Sequence, residues 1–200
     1  MVSQMRNISA TSSLTGFVRR WKKAESGLAA TEFAVLLPVL ILLFFGLIEA
    51  SNAMTVNRKV AISANTLADL VAQSEEIKES EVDDLFEGVM EMIRPNDPSG
   101  MTLKLSSVIL DEDGDPVVHW SRDNKGGKPY AEGQEFTKLS DDTIIPSIAS
   151  LIIVEMSYTY QPSITNRVMD TPIHFTRQTI RWPRLTTKVQ LEGAGGGGDN

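Results

Sequence analysis

Glu32 is the residue whose position most strongly suggests a specific chemical role. It lies in an apolar run from Gly27 to Ile48, GLAATEFAVLLPVLILLFFGLI, and it is the only charged residue there. A carboxylate in a hydrocarbon environment is costly and is usually paired or functional. Gly27 upstream and Phe33 directly downstream complete a pattern that membrane insertion alone does not require.

The apolar run is long enough to cross a membrane. A helix over residues 27–48 would be about 33 Å long, and the hydrocarbon core of a bilayer is about 30 Å thick. The flank before the run is basic, which predicts a cytoplasmic N-terminus and an exported C-terminal part. Its charges are Arg6, Arg19, Arg20, Lys22 and Lys23 against Glu25.

Charge and composition exclude several classes of function. The 200-residue chain has a formal net charge of -7 and no cysteine. Because the basic flank carries about +4 and Glu32 carries -1, the exported part carries about -10, which argues against a nucleic-acid surface. The lack of cysteine excludes a disulfide scaffold, a thiol nucleophile and a cysteine metal site.

Three interpretations of the N-terminal segment compete. A cleavable secretory signal could end near Ser51-Asn52-Ala53, but Glu32 and the length of the run count against it. An uncleaved anchor explains the length and the orientation, although it leaves the spacing of Gly27 and Glu32 as coincidence. A prepilin-type signal accounts for the length, the basic flank and the spacing together.

Residues 19–50, RRWKKAESGLAATEFAVLLPVLILLFFGLIEA, resemble the start of TadE/TadF-like pseudopilins of the bacterial tight-adherence (Flp) pilus machinery. The resemblance implies that a membrane prepilin peptidase cuts between Gly27 and Leu28 on the cytoplasmic side. It also implies that Glu32 pairs with the new amine of a neighbouring subunit. Phe33 stands where major pilins usually have tyrosine, which favours a minor pseudopilin over a major filament subunit.

Two helices are predicted beyond the membrane. The first continues the apolar run, and its stripe of apolar residues at helical spacing is expected to pack on its own domain. The second is expected to begin with a cap formed by Ser80 and Asp83 and to end before Pro95. The first stripe is Ala53, Val56, Val60, Ala64, Leu67 and Val71, and the apolar face of the second helix is Val82, Leu85, Phe86, Val89 and Ile93.

From Met101 onward the pattern changes to that of strands. Strands are predicted at 102–110, 116–121, 151–160 and 173–182, with Trp120 packed on the core. The first two flank an acidic turn, Asp111–Asp115, and residues 122–133 are expected to form an exposed loop. The fold class is therefore α+β, a small antiparallel sheet packed on a helical spine.

The predicted organisation has five segments. They are a basic cytoplasmic leader at 1–27, a transmembrane helix at 28–48, amphipathic helices at 49–95, a β-rich region at 96–190 and a disordered glycine-rich tail at 191–200. Glu49 lies just past the apolar run and is expected to mark the outer membrane–water interface, with a buried ion pair as the alternative.

No set of residues predicts catalysis or metal binding. Counted from Asp111, the glycine comes fourth and Arg122 falls at the twelfth position, so the turn does not fit an EF-hand and favours a plain hairpin. A looser calcium site there stays open. His119 and His174 lie in separate predicted strands without a metal-ligand spacing. We therefore predict no catalytic residue, no metal site, no cofactor and no small-molecule substrate.

The predicted function is that of a minor pseudopilin in pilus assembly, without enzymatic activity. Its expected partners are the membrane, a prepilin peptidase and other pilins or pseudopilins. Its expected location is the bacterial cytoplasmic membrane, with the C-terminal domain in the periplasm. The alternative is an extracytoplasmic scaffold or calcium-binding domain on an uncleaved single-pass anchor.

Overall fold

The computed structural model describes residues 25–139, 149–162 and 171–193. The chain divides into two compact units, one ending at Ile48 and one beginning at Glu49. The elements are α1 Glu25–Val71, β1 Glu76–Lys78, α2 Glu79–Glu91, a 3₁₀ turn Pro98–Gly100, β2 Met101–Leu110, β3 Pro116–Asp123, β4 Leu151–Tyr160, β5 Ile173–Arg181 and β6 Gln190–Glu192. The predicted α+β class is confirmed. Most of the predicted leader, residues 1–24, lies outside the described residues.

The second half of α1 forms because its apolar residues recur on one face. The predicted stripe is confirmed, since five of its members are buried in the main core and Ala53 packs against it. Those five are Val56, Val60, Ala64, Leu67 and Val71. The helix ends where the backbone N–H of Gln73 bonds to the carbonyl of Leu70 at 3.2 Å, in a tightened last turn.

The second helix has the predicted buried face but a different start. Val82, Phe86 and Val89 are buried on α2. The predicted cap at Ser80 and Asp83 is wrong, because α2 begins at Glu79 directly after β1. The carboxylate of Glu81 accepts the backbone N–H of Lys78 at 3.0 Å and thereby satisfies a donor at the helix start.

Four strands form an antiparallel sheet in the order β3-β2-β4-β5. Their predicted positions are confirmed, although β3 continues to Asp123 and so includes Arg122, which sequence analysis had assigned to the exposed loop. The register pairs Met101 with Tyr158 and Val108 with Leu151 between β2 and β4. A bulge between Ser107 and Val108 shifts the pairing of β2 with β3.

The core has two layers, one on each face of the sheet. On the first face, the buried sides of α1 and α2 pack against alternate residues of β2 and β4, and Trp120 of β3 joins this cluster as predicted. On the other face, Phe136 from the β3–β4 connection covers Val108, Val118, Leu151 and Ile153. Each fully buried side chain of this size contributes about 1.5–3 kcal/mol to folding.

Sequence analysis missed a short parallel pair of strands. β1 pairs with β6 from Glu76↔Gln190 to Lys78↔Glu192. The disordered tail predicted from residue 191 therefore starts too early, because Leu191 is buried and lies in β6. The indole N–H of Trp120 donates to the carbonyl of Val189 at 2.8 Å and fixes the segment that leads into β6. Residues 194–200 of the predicted tail lie outside the described residues.

Candidate functional site

The residues predicted to carry processing and assembly lie in the first turns of α1. Leu28 and Phe33 are 65% and 58% exposed, and Glu32 is exposed as well. The hydroxyl of Thr31 donates to the carbonyl of Leu28 at 2.7 Å, so it is satisfied within the helix. Leu28 and Glu32 stand four residues apart and therefore share one face of α1.

The apolar side chains that surround Glu32 are exposed. Among the described residues, α1 is the one helix long and apolar enough to cross a membrane, and its most apolar 18-residue window has a mean hydropathy of 2.6 with only 6% buried. In a water-soluble domain such a run would be in the core. Its exposure fits a single-pass membrane anchor.

An open, mainly apolar patch lies beside the Glu32 carboxylate. It is a shallow surface formed by Thr31, Glu32, Val35 and Leu36 of this one helix. One acid among apolar neighbours makes this face of α1 suited to a partner that brings both a cation and an apolar surface.

Glu49, the second carboxylate at the margin of the apolar run, is buried. It is 6% exposed, and its Oε1 accepts a hydrogen bond from the hydroxyl of Tyr160 at 2.5 Å. Glu49 was expected to mark the membrane–water interface, with a buried ion pair as the alternative; its carboxylate is buried, and the contact it makes with Tyr160 is a hydrogen bond. The partner lies 111 residues away in the chain, so no local pattern could reveal the contact.

Tyr158 and Tyr160 lie at the C-terminal end of β4, and both keep their phenolic protons. Burial, and then the Glu49 carboxylate, raise the pKa of Tyr160 to about 12. Burial, and then the charge of Asp97, also raise the pKa of Tyr158, whose hydroxyl donates to the carbonyl of Asp97 at 3.0 Å. A cavity of about 460 Å³ opens between these tyrosines and residues 95–100. Both phenols act as hydrogen-bond donors here.

Ion pairs attach the two helices to the sheet. Arg181 Nε of β5 lies 2.7 Å from Asp69 Oδ1 of α1. Arg122 of β3 reaches Glu79 at 3.3 Å and Asp83 at 3.4 Å, on α2. Because these carboxylates already face cations within the domain, the contacts are structural.

A third polar cluster covers the outer face of the sheet. The hydroxyl of Tyr130 donates to Glu155, and Lys138 Nζ lies 2.7 Å from the Tyr130 hydroxyl oxygen and 3.0 Å from Glu155 Oε1. Burial, and then the bond to Glu155, raise the pKa of Tyr130. The bonds to Tyr130 and Glu155 raise the pKa of Lys138. Both groups therefore hold their protons, which suits a structural network rather than a general base.

The acidic turn between β2 and β3 is a hairpin. Asp111 Oδ1 accepts the backbone N–H groups of Asp113 and Asp115 at 3.1 and 2.8 Å, and Gly114 supplies the positive φ of 91° that the turn needs. In the described ranges no three His, Cys, Asp or Glu side chains form a group that could hold a metal ion.

The two histidines lie on strands at opposite edges of the sheet. His119 is on β3 and His174 is on β5, and β2 and β4 lie between them. Burial lowers the pKa of His119. His174 Nδ1 lies 3.1 Å from the Thr159 hydroxyl, on the neighbouring strand. The sheet therefore keeps these two side chains apart.

Fold and site together define an α+β protein in which the first half of α1 is exposed and apolar and fits a single-pass membrane anchor. Residues 27–69 match the family model described as TadE-like protein, which confirms the resemblance found in the sequence. The matched segment lies wholly within α1 and supports involvement in the tight-adherence pilus system. No curated protein and no solved structure matches the chain.

Proposed function

We propose that this protein is a minor pseudopilin of the tight-adherence pilus system, cut by a prepilin peptidase between Gly27 and Leu28. The observation that supports this most is that the TadE-like match starts at Gly27, the first residue of the exposed apolar run of α1, and that this run carries a single acid. An anchor needs only apolar length, whereas a processed subunit needs a cleavage point and an assembly contact.

Glu32 is the proposed assembly contact. Cleavage would create an amine at Leu28, about 6 Å along the helix axis from Glu32. Within a bundle of pilin-like helices in the membrane, the Glu32 carboxylate pairs with the amine of a neighbouring subunit. Pairing offsets the cost of a charge in hydrocarbon, and the exposed apolar patch beside Glu32 gives the neighbour a surface to cover.

The proposed orientation in the membrane is inferred from the basic residues before the apolar run, which favour a cytoplasmic N-terminus. Residues 1–27 form the cytoplasmic leader, residues 28–48 span the cytoplasmic membrane, and the domain from Glu49 lies in the periplasm. Residues 49–95 supply the helices of that domain and residues 96–190 most of its sheet, with β6 extending to Glu192. Partners are other pilins or pseudopilins and the peptidase.

The protein is proposed to act without catalysis, cofactor, small-molecule substrate or nucleic acid. The polar clusters of the domain support this, since the tyrosines hold their protons and the carboxylates of Asp69, Glu79 and Asp83 face arginines. Assembly work is consistent with such a domain, because it requires shape and surface rather than an activated nucleophile.

The test is the mature N-terminus, read by mass spectrometry in cells with and without the prepilin peptidase. We expect a start at Leu28 that disappears with the peptidase, and retention of the leader in Gly27→Ala. Gly46→Ala is the matched control, because it changes a glycine in the same helix where an added Cβ meets nothing within 4 Å. An intact Met1, or a start at Met54, would overturn the proposal.

A further inference from the structure

We infer that two copies of this chain bind head to tail, with an exposed segment of one copy docked in a groove of the next. The docking segment is residues 182–185, WPRL, directly after β5. The groove lies between α2, the 3₁₀ turn and the residues that follow β3. The inference goes beyond the proposed function, because it needs neither cleavage after Gly27 nor the Glu32 contact.

The groove has an apolar lining. Phe86 and Met90 of α2 form it together with Pro98 of the 3₁₀ turn. Phe86 is buried, whereas Met90 and Pro98 are half-buried and accessible. The amide of Asn124, just after β3, donates to the sulfur of Met90 at 3.4 Å and fixes that side chain in the lining. The groove can therefore receive apolar side chains without rearranging.

Carboxylates of α2 also line the groove. Asp83, Glu87 and Glu91 are exposed and lie four residues apart, so they share one side of the helix. Asp83 lies 3.4 Å from Arg122, and Glu91 pairs with Arg94. Among the residues that the structure describes, Glu87 between them forms no ion pair. Like charges at this spacing repel one another, and a cation brought to Glu87 would relieve the repulsion.

The docking segment carries the complementary side chains. Trp182 and Leu185 are 51% and 64% exposed, and the side chain of Arg184 between them is 60% exposed. Asp69 Oδ1 lies 3.4 Å from Arg184 but only 2.7 Å from Arg181, so two guanidinium groups share one carboxylate. This edge of the domain therefore keeps positive charge beside two exposed apolar side chains. Tryptophan and arginine are also the residue types that dominate binding hot spots.

The two surfaces lie too far apart to meet within one chain. The sheet order β3-β2-β4-β5 places the groove beside one edge strand and the docking segment after the other, with about 14 Å between those strands. The backbone N–H of Arg184 donates to the carbonyl of Ala72 at 2.8 Å, and the carbonyl of Thr187 accepts the N–H of Ser150 at 2.8 Å. These bonds hold the segment at its own edge. The groove is therefore open to the segment of a second copy, and such a contact between unlike surfaces can extend to further copies.

The absence of native cysteine allows a crosslinking test with two full-length chains of different tag length in detergent micelles. One chain carries Glu91→Cys in the groove, and the other carries Thr187→Cys at an exposed position beside the docking segment. A short bifunctional maleimide joins cysteines that lie close together. In the matched control Glu112→Cys replaces Glu91→Cys, because Glu112 is an exposed acid outside the groove.

We expect the mixed product of Glu91→Cys and Thr187→Cys at several-fold higher yield than in the control. Arg184→Glu in the second chain should lower the yield to the control level, and so should Glu87→Lys in the first. The two changes together should restore it, because the charges are then exchanged across the contact. Circular dichroism confirms that each variant is folded, and Glu87→Lys alters only an exposed helix position.

A mixed product no more abundant than the control would overturn the inference. So would a yield that neither charge change lowers, or a Glu91→Cys chain that crosslinks only to itself. In cells, crosslinks from the groove solely to a protein of another mass would show a different occupant and would overturn it as well. The yield should persist when both chains carry Gly27→Ala or Glu32→Ala, so failure of the docking contact and failure of the proposed function are separate results.

Discussion

Glu32 and Glu49 flank most of the apolar run of α1, yet the structure treats them differently. Glu32 is exposed among apolar side chains that are themselves exposed. Glu49 is 6% exposed and accepts the hydroxyl of Tyr160. One carboxylate faces outward from the chain, and the other is bound within its own domain.

The difference suggests separate roles for the two acids: Glu32 in assembly with other chains, and Glu49 in the folding of its own domain. A buried acid must find its hydrogen-bond partners inside the fold, because an unsatisfied one costs free energy. An exposed acid in an apolar segment contributes little to the fold of its own chain, and its cost arises only when the segment enters lipid. Glu32 should therefore affect assembly without affecting the domain, and Glu49 should do the reverse.

The largest expected effect is the loss of pili in Glu32→Ala. The variant should insert and be cut after Gly27, yet fail to support assembly, because the neighbouring amine loses its partner. Electron microscopy of pili, together with the mature N-terminus, measures both properties. Glu32→Gln, which keeps the shape without the charge, should fail in the same way.

Normal piliation in Glu32→Ala would remove the role assigned to this residue. The unfolding free energy of the domain should stay within about 0.5 kcal/mol of the wild type in both variants. A larger change would mean that Glu32 supports the fold, and the contrast with Glu49 would be lost.

The next largest effect is on the stability of the domain, and it compares two leucines of α1 that lie on opposite sides of Glu49. Leu67→Ala should destabilise the domain by about 2–5 kcal/mol, because Leu67 is fully buried against the sheet. Leu40→Ala should leave the unfolding free energy of the domain nearly unchanged, since Leu40 is half exposed in the apolar run. Denaturant unfolding in detergent micelles compares the two. Equal losses would show that the apolar run is part of the domain core.

Much of this architecture was predictable from local patterns. The buried stripe of α1 was predicted because apolar residues recur there about every 3.6 residues, as in a helix with one buried face. The strands β2, β4 and β5 were predicted from the apolar, strand-forming composition and the period of about two residues that is typical of strands. The β1–β6 pair was not predictable, because strands of three residues carry no periodic signal and are held by contacts across the chain. The start of α2 was also misplaced, because the helix begins directly after β1 and β1 was not predicted.

The residues of the candidate site also fall into two groups: those that a local sequence pattern reveals, and those whose contacts are distant in the chain. Gly27, Leu28, Glu32 and Phe33 form a local pattern, so the sequence alone could single them out. The burial of Glu49 depends on Tyr160, and nothing near Glu49 in the sequence signals that partner. The burial of Arg122 likewise depends on Glu79 and Asp83 of another element.

A smaller effect is expected at Glu49. Glu49→Ala should cost the domain about 1–3 kcal/mol, because the buried hydroxyl of Tyr160 loses its acceptor. Tyr160→Phe should recover part of that loss in the double variant, since no hydroxyl is then left unsatisfied. A double-mutant cycle by denaturant unfolding measures the coupling. Strictly additive losses would contradict a direct bond between these residues.

The smallest effect appears only at alkaline pH. The pKa of Tyr160 is raised to about 12, above an ordinary value of about 10, so the folded state favours the neutral phenol. This contribution to stability is fully present below about pH 10 and is lost as the pH rises towards about 12. Ultraviolet absorbance titration of the wild type minus Tyr160→Phe isolates this group. A difference curve centred near pH 10 would contradict its burial against Glu49.

The central claim is that Glu32 pairs outside its own chain, and crosslinking tests it most directly. A photoreactive residue in place of the exposed Phe33 would be activated in cells that assemble pili, with and without Glu32→Ala. We predict an adduct to a second pilin-like chain that Glu32→Ala abolishes. Adducts to lipid alone, or an adduct to a second chain that persists in Glu32→Ala, would contradict the claim.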